Sequence, residues 1–283
     1  MPSAPSVLCV HAHPDDEALW TGGLLLRAAA RGWSTAVLTC AAEPGGPRVA
    51  ELAESLAVLG AEPPRLLGYG DSGHRADAGP GSLCGADLDE VTDRLTGELR
   101  RSRPDVVVTY DAGGGYGHPD HVRTHRATLA AVEAAAHPAV LPSAGPPWRV
   151  RTLLLVTWPR TAVERVVRAL ATAGVVLPPL QRGMGVSDDA IDVALDVRPW
   201  QEAKWRALRS HRSQLARGHG PANVLALSAP DRTLLLGTEW YQRRELSRRP
   251  DRCDRDGPDD DEWPAPLADG ITPAAPARPV RSA

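Results

Sequence analysis

Short apolar runs alternate with longer stretches of helical periodicity from the N-terminus to about residue 173, and this alternation constrains the fold more than any other feature. The apolar runs lie at residues 6–10, 34–39, 65–67, 105–110 and 152–157. The helical patterns end at residue 31 or cover residues 48–59, 88–101, 119–136 and 162–173. This alternation predicts βαβ units and a parallel sheet, and strands that are apolar throughout indicate a sheet covered on both faces.

The pattern changes from about residue 178. A strand at residues 190–197, an arginine-rich amphipathic helix at residues 200–215 and an apolar run at residues 234–241 follow without the earlier regularity. We therefore expect a core at residues 1–177 and a small α+β subdomain at residues 178–246 that completes the pocket. Residues 247–283 contain much proline, alanine and aspartate and few large apolar side chains, which predicts a disordered tail.

Charge and cysteine content restrict the partners and the location. The formal net charge is −3 and the 32 basic residues are spread along the chain, so no nucleic-acid partner and no anionic membrane surface is expected. No apolar run approaches the roughly 20 residues of a membrane helix, and Asp15 comes too early for a signal peptide, which favours a cytoplasmic protein. The four cysteines lack CxxC spacing, so we expect reduced thiols and no cysteine metal site. A homo-oligomeric state stays open.

A first cluster of chemically active side chains follows the first apolar run. His13 and the three acidic residues Asp15, Asp16 and Glu17 stand where a strand of an α/β sheet should end, which is where such sheets keep their ligands. A structural explanation exists for part of the cluster, because Pro14 suits a first helical turn and acidic residues complement a helix N-terminus. That explanation does not account for His13.

A second cluster has nearly the same pattern. His118, Asp120 and His121 follow the apolar run at residues 105–110, after a glycine-rich loop that contains Tyr116. A catalytic zinc takes three protein ligands and keeps one open position for water, which two histidines and one aspartate from adjacent loops can supply. We propose the ligands His13, Asp16 and His121. Asp15 then lies beside the metal without being a ligand and can act as the general base.

Other interpretations of these segments have weaker support. His121 and His125 share a helix face, but the glutamate that zincin-type helices place after the first histidine is replaced by Val122. The glycines at residues 113–117 lack the Lys-Ser/Thr pair of a phosphate loop, and no Gly-x-Ser-x-Gly elbow follows a strand. We expect His11 to end a strand or to contact a metal ligand without binding the metal itself. We expect His211 to lie at the pocket rim.

Three segments, at residues 11–17, 104–111 and 114–121, resemble the LmbE-like (PIG-L) metal-dependent de-N-acetylases, with further similarity to about residue 241. The resemblance implies a Rossmann-like three-layer sandwich with a mostly parallel sheet and a zinc or ferrous ion in the site above. It also implies roles for further side chains. Protonated His118 would aid the oxyanion or the leaving amine, and Tyr116 would contribute to the oxyanion site. Asp120 would support a histidine, and Arg48 and Asp71 would bind substrate hydroxyls.

Within the family, the likeness is greatest to the deacetylases of mycothiol biosynthesis, which implies N-acetylglucosaminyl-inositol as the substrate. Two other substrates within the family stay open: a mycothiol S-conjugate, cleaved by an amidase, and an acetylated antibiotic sugar. A non-catalytic sugar- or nucleotide-binding protein on the same fold is the alternative from another class, since fold does not dictate function. The presence of Asp15 and of all three proposed ligands disfavours it.

Overall fold

The computed structural model describes residues 4–175, 184–218, 220–246 and 271–272, and it contains one mixed sheet. The strands follow the order β3-β2-β1-β4-β5-β7-β6-β8. Their bounds are β1 (Ser6–His11), β2 (Ser34–Thr39), β3 (Arg65–Leu66), β4 (Val106–Tyr110), β5 (Thr152–Thr157), β6 (Val193–Asp196), β7 (Thr238–Glu245) and β8 (Ile271–Thr272). All pairs among β1 to β5 are parallel, which confirms the predicted α/β class and mostly parallel sheet.

Helices connect these strands and cover both faces of the sheet. They are α1 (Asp16–Trp20), α2 (Gly22–Ala30), α3 (Pro47–Leu59), α4 (Leu88–Ser102), the single irregular turn α5 (Gly114–Gly117), α6 (Pro119–Ala136), α7 (Arg160–Thr172), α8 (Gln201–Ser210), α9 (Arg212–Arg217), α10 (Pro221–Ala226) and α11 (Ala229–Leu236). Two separate groups of buried apolar side chains result. One includes Leu24, Leu56 and Leu208, and the other includes Leu38, Leu95 and Ala131.

The strand order reverses direction at the centre of the sheet. From β1 the chain moves outward through β2 and β3, and it then returns to place β4 on the other side of β1. In open parallel sheets the crevice at such a reversal, beyond the carboxyl ends of the strands, is where ligands bind. The two His–Asp clusters follow β1 and β4, so the topology brings them to this crevice.

Two predicted helices are each divided into two. The helix expected to end at residue 31 is interrupted at Thr21, whose backbone (φ −132°) leaves the helical region. The helix expected at residues 200–215 is interrupted at His211, which has φ −80° and ψ 58°. The physical reason at His211 is tertiary, because its imidazole lies against the buried carboxylate of Glu17. The strand predicted at residues 190–197 is shorter, since a 3-10 turn occupies Asp188–Ala190.

The C-terminal part extends the same sheet instead of forming a second one. β7 pairs antiparallel with β5 and with β6. Glu239 of β7 is buried and accepts hydrogen bonds from Lys204 Nζ (2.6 Å) and from the first amides of α2, Gly23 N (2.8 Å) and Leu24 N (2.9 Å). The buried ion pair with Lys204 and the hydrogen bonds to α2 thus connect β7 with α8 and α2.

The boundary at residue 177 between the core and the C-terminal subdomain stays a prediction. So does the disordered tail at residues 247–283, which lies outside the described residues except for the two residues of β8. Within the described ranges, no helix combines the length and the apolar character that crossing a bilayer requires.

Candidate metal centre and active site

The two clusters meet in one cleft of about 1030 Å³ at the carboxyl end of the sheet. β1 and β4 are in register, with Cys9 opposite Val108, so the loops that follow them start side by side. His13, Asp16 and His118 line the cleft, while His121 lies fully buried beneath it. The structure thus brings together residues that are more than 100 positions apart in the chain.

His13, Asp16 and His121 form a triangle of ligand atoms. Asp16 Oδ2 lies 3.5 Å from His13 Nδ1 and 3.5 Å from His121 Nε2, and the two nitrogens are 3.3 Å apart. A tetrahedral ion about 2.1 Å from each ligand spaces the ligand atoms about 3.4 Å apart. The three side chains therefore fit a tetrahedral metal with one open position.

Each of the two histidines in the triangle has an outer partner that sets its orientation. His13 Nε2 lies 3.0 Å from Asp120 Oδ2, and His121 Nδ1 lies 3.1 Å from the carbonyl oxygen of Gly114. These contacts leave His13 Nδ1 and His121 Nε2 facing the centre of the triangle. Metal-ligating histidines characteristically donate a hydrogen bond from their second ring nitrogen in this way. The three side chains therefore have the chemistry of a metal site.

His118 gives two further groupings of ligand atoms. Among the described residues, His118 with His13 and His121 forms one group whose ligand atoms all lie within 4.8 Å of one another. The other group is His118 with His13, Asp71 and Asp120. His13 and His118 belong to both groups, so these two histidines connect the ligand triangle with Asp71 and Asp120.

Asp15 stands beside the ligand triangle with an unusual backbone. Its φ is 117°, in a region that non-glycine residues rarely adopt, and its amide donates to Glu17 Oε2 (2.9 Å). Burial and the adjacent Asp16 carboxylate raise the pKa of Asp15 to about 7, against the opposing effect of Arg48, whose Nη2 is 3.7 Å away. A carboxylate with a pKa near the working pH suits a general base.

His118 is the N-cap of α6. Its Nδ1 accepts the amide of Asp120 (3.2 Å), so the ring proton of the neutral form is on Nε2. Burial, followed by the neighbouring His13, lowers the pKa of His118 to about 4. This shift favours a neutral imidazole over the protonated His118 that the family resemblance implies. Its Nε2–H remains a hydrogen-bond donor.

Tyr116 extends from α5 over the site. Its ring stacks on Trp20 with centroids 6.4 Å apart and planes 11° apart, and it lies 5.0 Å from the His121 ring. Gly115 lets the loop approach this closely, because it has φ +71° and a Cβ there would lie 2.8 Å from Trp20 Cη2. The loop glycine thus permits the close backbone approach that places Tyr116 beside the ligands.

Arg48 and Asp71 lie together at the polar edge of the cleft. Arg48 Nη1 is 3.3 Å from Asp71 Oδ2, and Arg48 Nη2 donates to the carbonyl oxygen of Pro14 (2.7 Å). Asp71 Oδ1 is 3.5 Å from His13 Nε2. Asp71 is exposed, so it can accept hydrogen bonds from a ligand in the cleft.

Asp120 is fully buried behind His13. Besides His13, it accepts the amide of Ser72 at Oδ2 (2.9 Å) and the thiol of Cys84 at Oδ1 (3.1 Å). The pKa of Asp120 is lowered, because the contacts with His13 and Ser72 together outweigh the opposing effect of burial, which is the largest single influence. Ser72 and Cys84 were missed from sequence because no local pattern distinguishes them from loop residues.

The remaining histidines have varied surroundings. His125 Nδ1 lies 2.8 Å from the carbonyl oxygen of Tyr110, and His11 Nε2 lies 2.9 Å from Thr21 Oγ1. His125 is in neither group of ligand atoms found among the described residues. His74, for which the sequence offered no supporting neighbour, lies with its ring 4.9 Å from that of His118. His211 is fully buried and not at the rim, and His219 lies outside the described residues.

The C-terminal part supplies further side chains that line the cleft. Gln214, Arg217 and Asn223 line the cleft from α9 and α10. Apolar side chains also line the cleft, among them Trp158, Val163, Leu170, Met184 and Leu235. The cleft is therefore lined by polar side chains at the ligands and by apolar side chains that include residues of α7 and α11.

Comparisons with known proteins agree with this geometry. Residues 8–132, which contain both His–Asp clusters, match the family described as GlcNAc-PI de-N-acetylase (PIG-L). A protein of Rhodococcus erythropolis named 1D-myo-inositol 2-acetamido-2-deoxy-alpha-D-glucopyranoside deacetylase is 40% identical over 242 residues, covering 75% of this chain and 82% of that protein.

Solved structures share the fold. The conserved protein TT1542 from Thermus thermophilus has a TM-score of 0.60 at 25% identity, and the match covers 86% of this chain and 95% of that protein. N,N'-diacetylchitobiose deacetylase from Pyrococcus horikoshii also has a TM-score of 0.60, at 19% identity, over 86% of this chain and 85% of that protein. The motif resemblance is thereby confirmed, and the chain belongs to the GlcNAc-PI de-N-acetylase (PIG-L) family.

Proposed function

We propose that this protein is a zinc-dependent hydrolase that removes the N-acetyl group from an amino sugar, with N-acetylglucosaminyl-inositol of the mycothiol pathway as the substrate. His13, Asp16 and His121 hold the ion in this proposal. When bound, the ion polarises the acetyl carbonyl and acidifies the attacking water. The relative from Rhodococcus erythropolis, whose name specifies this deacetylation, supports the choice of substrate.

The chain's own side chains carry the proton transfers. Asp15 accepts the proton of the attacking water while the water oxygen bonds to the acetyl carbon. His118 Nε2–H and the Tyr116 hydroxyl donate to the carbonyl oxygen as it becomes negative. The carbon–nitrogen bond then breaks, and the departing amine takes up the proton that Asp15 holds. The products are the free amino sugar and acetic acid, which releases its proton to water to give acetate.

The remaining site residues bind and orient. Asp120 keeps the His13 ring in place through Nε2. At the polar edge of the cleft, Arg48 donates hydrogen bonds to sugar hydroxyls and Asp71 accepts them. The single observation that carries the proposal is a triangle of ligand atoms whose spacing fits a tetrahedral metal, with the separate carboxylate of Asp15 beside it. Both lie at a cleft of about 1030 Å³.

Amine release tests the proposal directly. Metal-stripped protein is reconstituted with zinc and given N-acetylglucosaminyl-inositol, and the primary amine is measured. Asp15→Asn serves as the control because it keeps the ligands and removes the base. We expect zinc-dependent release by the wild-type protein and almost none by the variant. Binding of the sugar without release by the wild-type protein would overturn the proposal in favour of a binding protein.

A second candidate function is cleavage of a larger amide, as in a mycothiol S-conjugate. The apolar lining of the cleft, which includes Trp158 and Leu170, favours this candidate, because the disaccharide substrate offers only a methyl group to such a surface. Parallel assays on the S-conjugate separate the two. Release from the conjugate alone identifies an amidase, and release from the disaccharide alone identifies the deacetylase.

A further inference from the structure

Tyr110, the last residue of β4, contacts two of the three proposed ligands and has no part in the mechanism above. Its hydroxyl lies 2.6 Å from Asp16 Oδ2, and its ring stacks on that of His121 with centroids 4.1 Å apart and planes 14° apart. The residue is fully buried, so it does not line the cleft. Its position predicts a role toward the ligands rather than toward substrate.

The direction of the Tyr110 hydrogen bonds follows from its partners. The amide of Ala12 donates to the Tyr110 hydroxyl (2.8 Å), and an amide N–H cannot accept. The hydroxyl proton therefore points at Asp16. Asp16 Oδ2 accepts from this hydroxyl and from the amide of His13 (2.9 Å), so two donors hold the carboxylate against rotation.

Tyr110 is itself held through its backbone and by neighbouring rings. The carbonyl oxygen of Tyr110 accepts from His125 Nδ1 (2.8 Å), which anchors the end of β4 to α6. Trp20 and His11 contact the ring edge to face, at 6.3 Å and 5.5 Å between centroids. A ring with so little freedom constrains the plane of the imidazole that stacks on it.

We propose that Tyr110 is a positioning residue that prepares Asp16 and His121 for the metal, a proposal that rests on the ligand set of the proposed function. Without the hydroxyl, Asp16 can rotate away from the ligand triangle, and part of the binding free energy is then spent on restoring its orientation. Mutating a residue that holds a metal ligand in this way typically lowers metal affinity by about 10- to 100-fold.

Tyr241 provides a matched control. It is also fully buried, and its hydroxyl also donates to a buried carboxylate, Glu239 Oε2 (2.7 Å), but that carboxylate is not in the ligand triangle. Tyr110→Phe and Tyr241→Phe each remove one hydroxyl and keep a ring in the core. A merely structural effect should appear in both variants.

The experiment measures zinc affinity by competition with a chromophoric chelator, for the wild-type protein and both variants. We expect Tyr110→Phe to bind zinc about 10- to 100-fold more weakly and Tyr241→Phe to equal the wild type. The absorption spectrum of the cobalt-substituted protein should change only in Tyr110→Phe, because the coordination geometry loosens. Activity of Tyr110→Phe at limiting zinc should recover as zinc is raised.

The outcomes separate this proposal from the proposed function. Unchanged zinc affinity and an unchanged cobalt spectrum in Tyr110→Phe overturn the role of Tyr110 and leave the deacetylase intact. Equal losses in Tyr110→Phe and Tyr241→Phe overturn it as well, because they indicate a general loss of stability. Absence of zinc binding by the wild-type protein instead overturns the metal site itself.

Discussion

The carboxylate of Glu17 and the imidazole of His211 lie 2.7 Å apart in the core, although 194 positions separate them in the chain. Both side chains are fully buried. Glu17 Oε1 also accepts from Ser55 Oγ (2.5 Å), and Glu17 Oε2 accepts the amide of Asp15 (2.9 Å). The pair thus links the C-terminal helices to the strained backbone that carries the proposed base.

Removing His211 should destabilise the protein strongly. His211→Ala leaves Glu17 as an uncompensated buried charge, and losing one partner of such a pair typically costs about 3–5 kcal/mol. Urea unfolding measures the loss. Arg212→Ala is the control, since it removes the adjacent but exposed pair with Glu54 and should change stability little. Equal stabilities of the two variants would contradict the importance of the Glu17–His211 pair.

Gly115→Ala should impair activity while leaving the fold intact. A methyl group there would lie 2.8 Å from Trp20, at a φ of +71° that alanine disfavours, so Tyr116 must move from the site. Displacements of about 1 Å at reacting groups can cost about 100-fold in rate. The measurement is kcat, beside Gly113→Ala, where φ is −83° and the nearest neighbour lies at 3.4 Å. Comparable rates for the two variants would refute the steric argument.

His118 substitutions separate its structural role from its chemical one. Both His118→Ala and His118→Asn remove the imidazole donor, and loss of an oxyanion donor costs about 10²- to 10³-fold in kcat. Only His118→Ala also removes the N-cap of α6, which typically costs about 1 kcal/mol. We therefore expect low kcat in both variants and reduced thermal stability in His118→Ala alone. A near-normal kcat of zinc-loaded His118→Asn would contradict the assignment of His118 as a donor to the oxyanion.

Removing the metal should lower the melting temperature. An ion present at about 1,000 times its dissociation constant stabilises by about 4 kcal/mol, which corresponds to roughly 8–16 °C for a domain of this size. Thermal unfolding with and without a chelator tests this expectation. Asp15→Asn should respond like the wild type, because Asp15 is not a proposed ligand. His121→Ala should show no response, and a full response in that variant would rule out His121 as a ligand.

The fold class and most of the site could be predicted from sequence because both depend on local patterns. Apolar runs that alternate with helical periodicity identify a parallel sheet, and the ends of its strands share one edge. His13, Asp16, His118 and His121 stand in short clusters directly after two such runs. The two clusters lie close together because each follows one of two strands, β1 and β4, that are neighbours in the sheet.

Other features depend on residues far apart in the chain, which no local pattern records. In the sequence Tyr110 is one more apolar strand residue, and only the pairing of β1 with β4 puts its hydroxyl against Asp16. The break at His211 follows from its contact with Glu17, whereas the local pattern favours an unbroken helix. The lowered pKa of His118 likewise depends on burial and on His13, which are properties of the assembled site.

The sequence alone therefore determined the α/β class and the family, and it predicted the residues of the candidate site, since periodicity and short motifs can be recognised without three-dimensional information. The tertiary structure decided which side chains contact those residues and in which direction their pKa values shift. The physical reason is that orientation, burial and hydrogen-bond partners come from packing between elements distant in the chain, and they exist only once the sheet has formed.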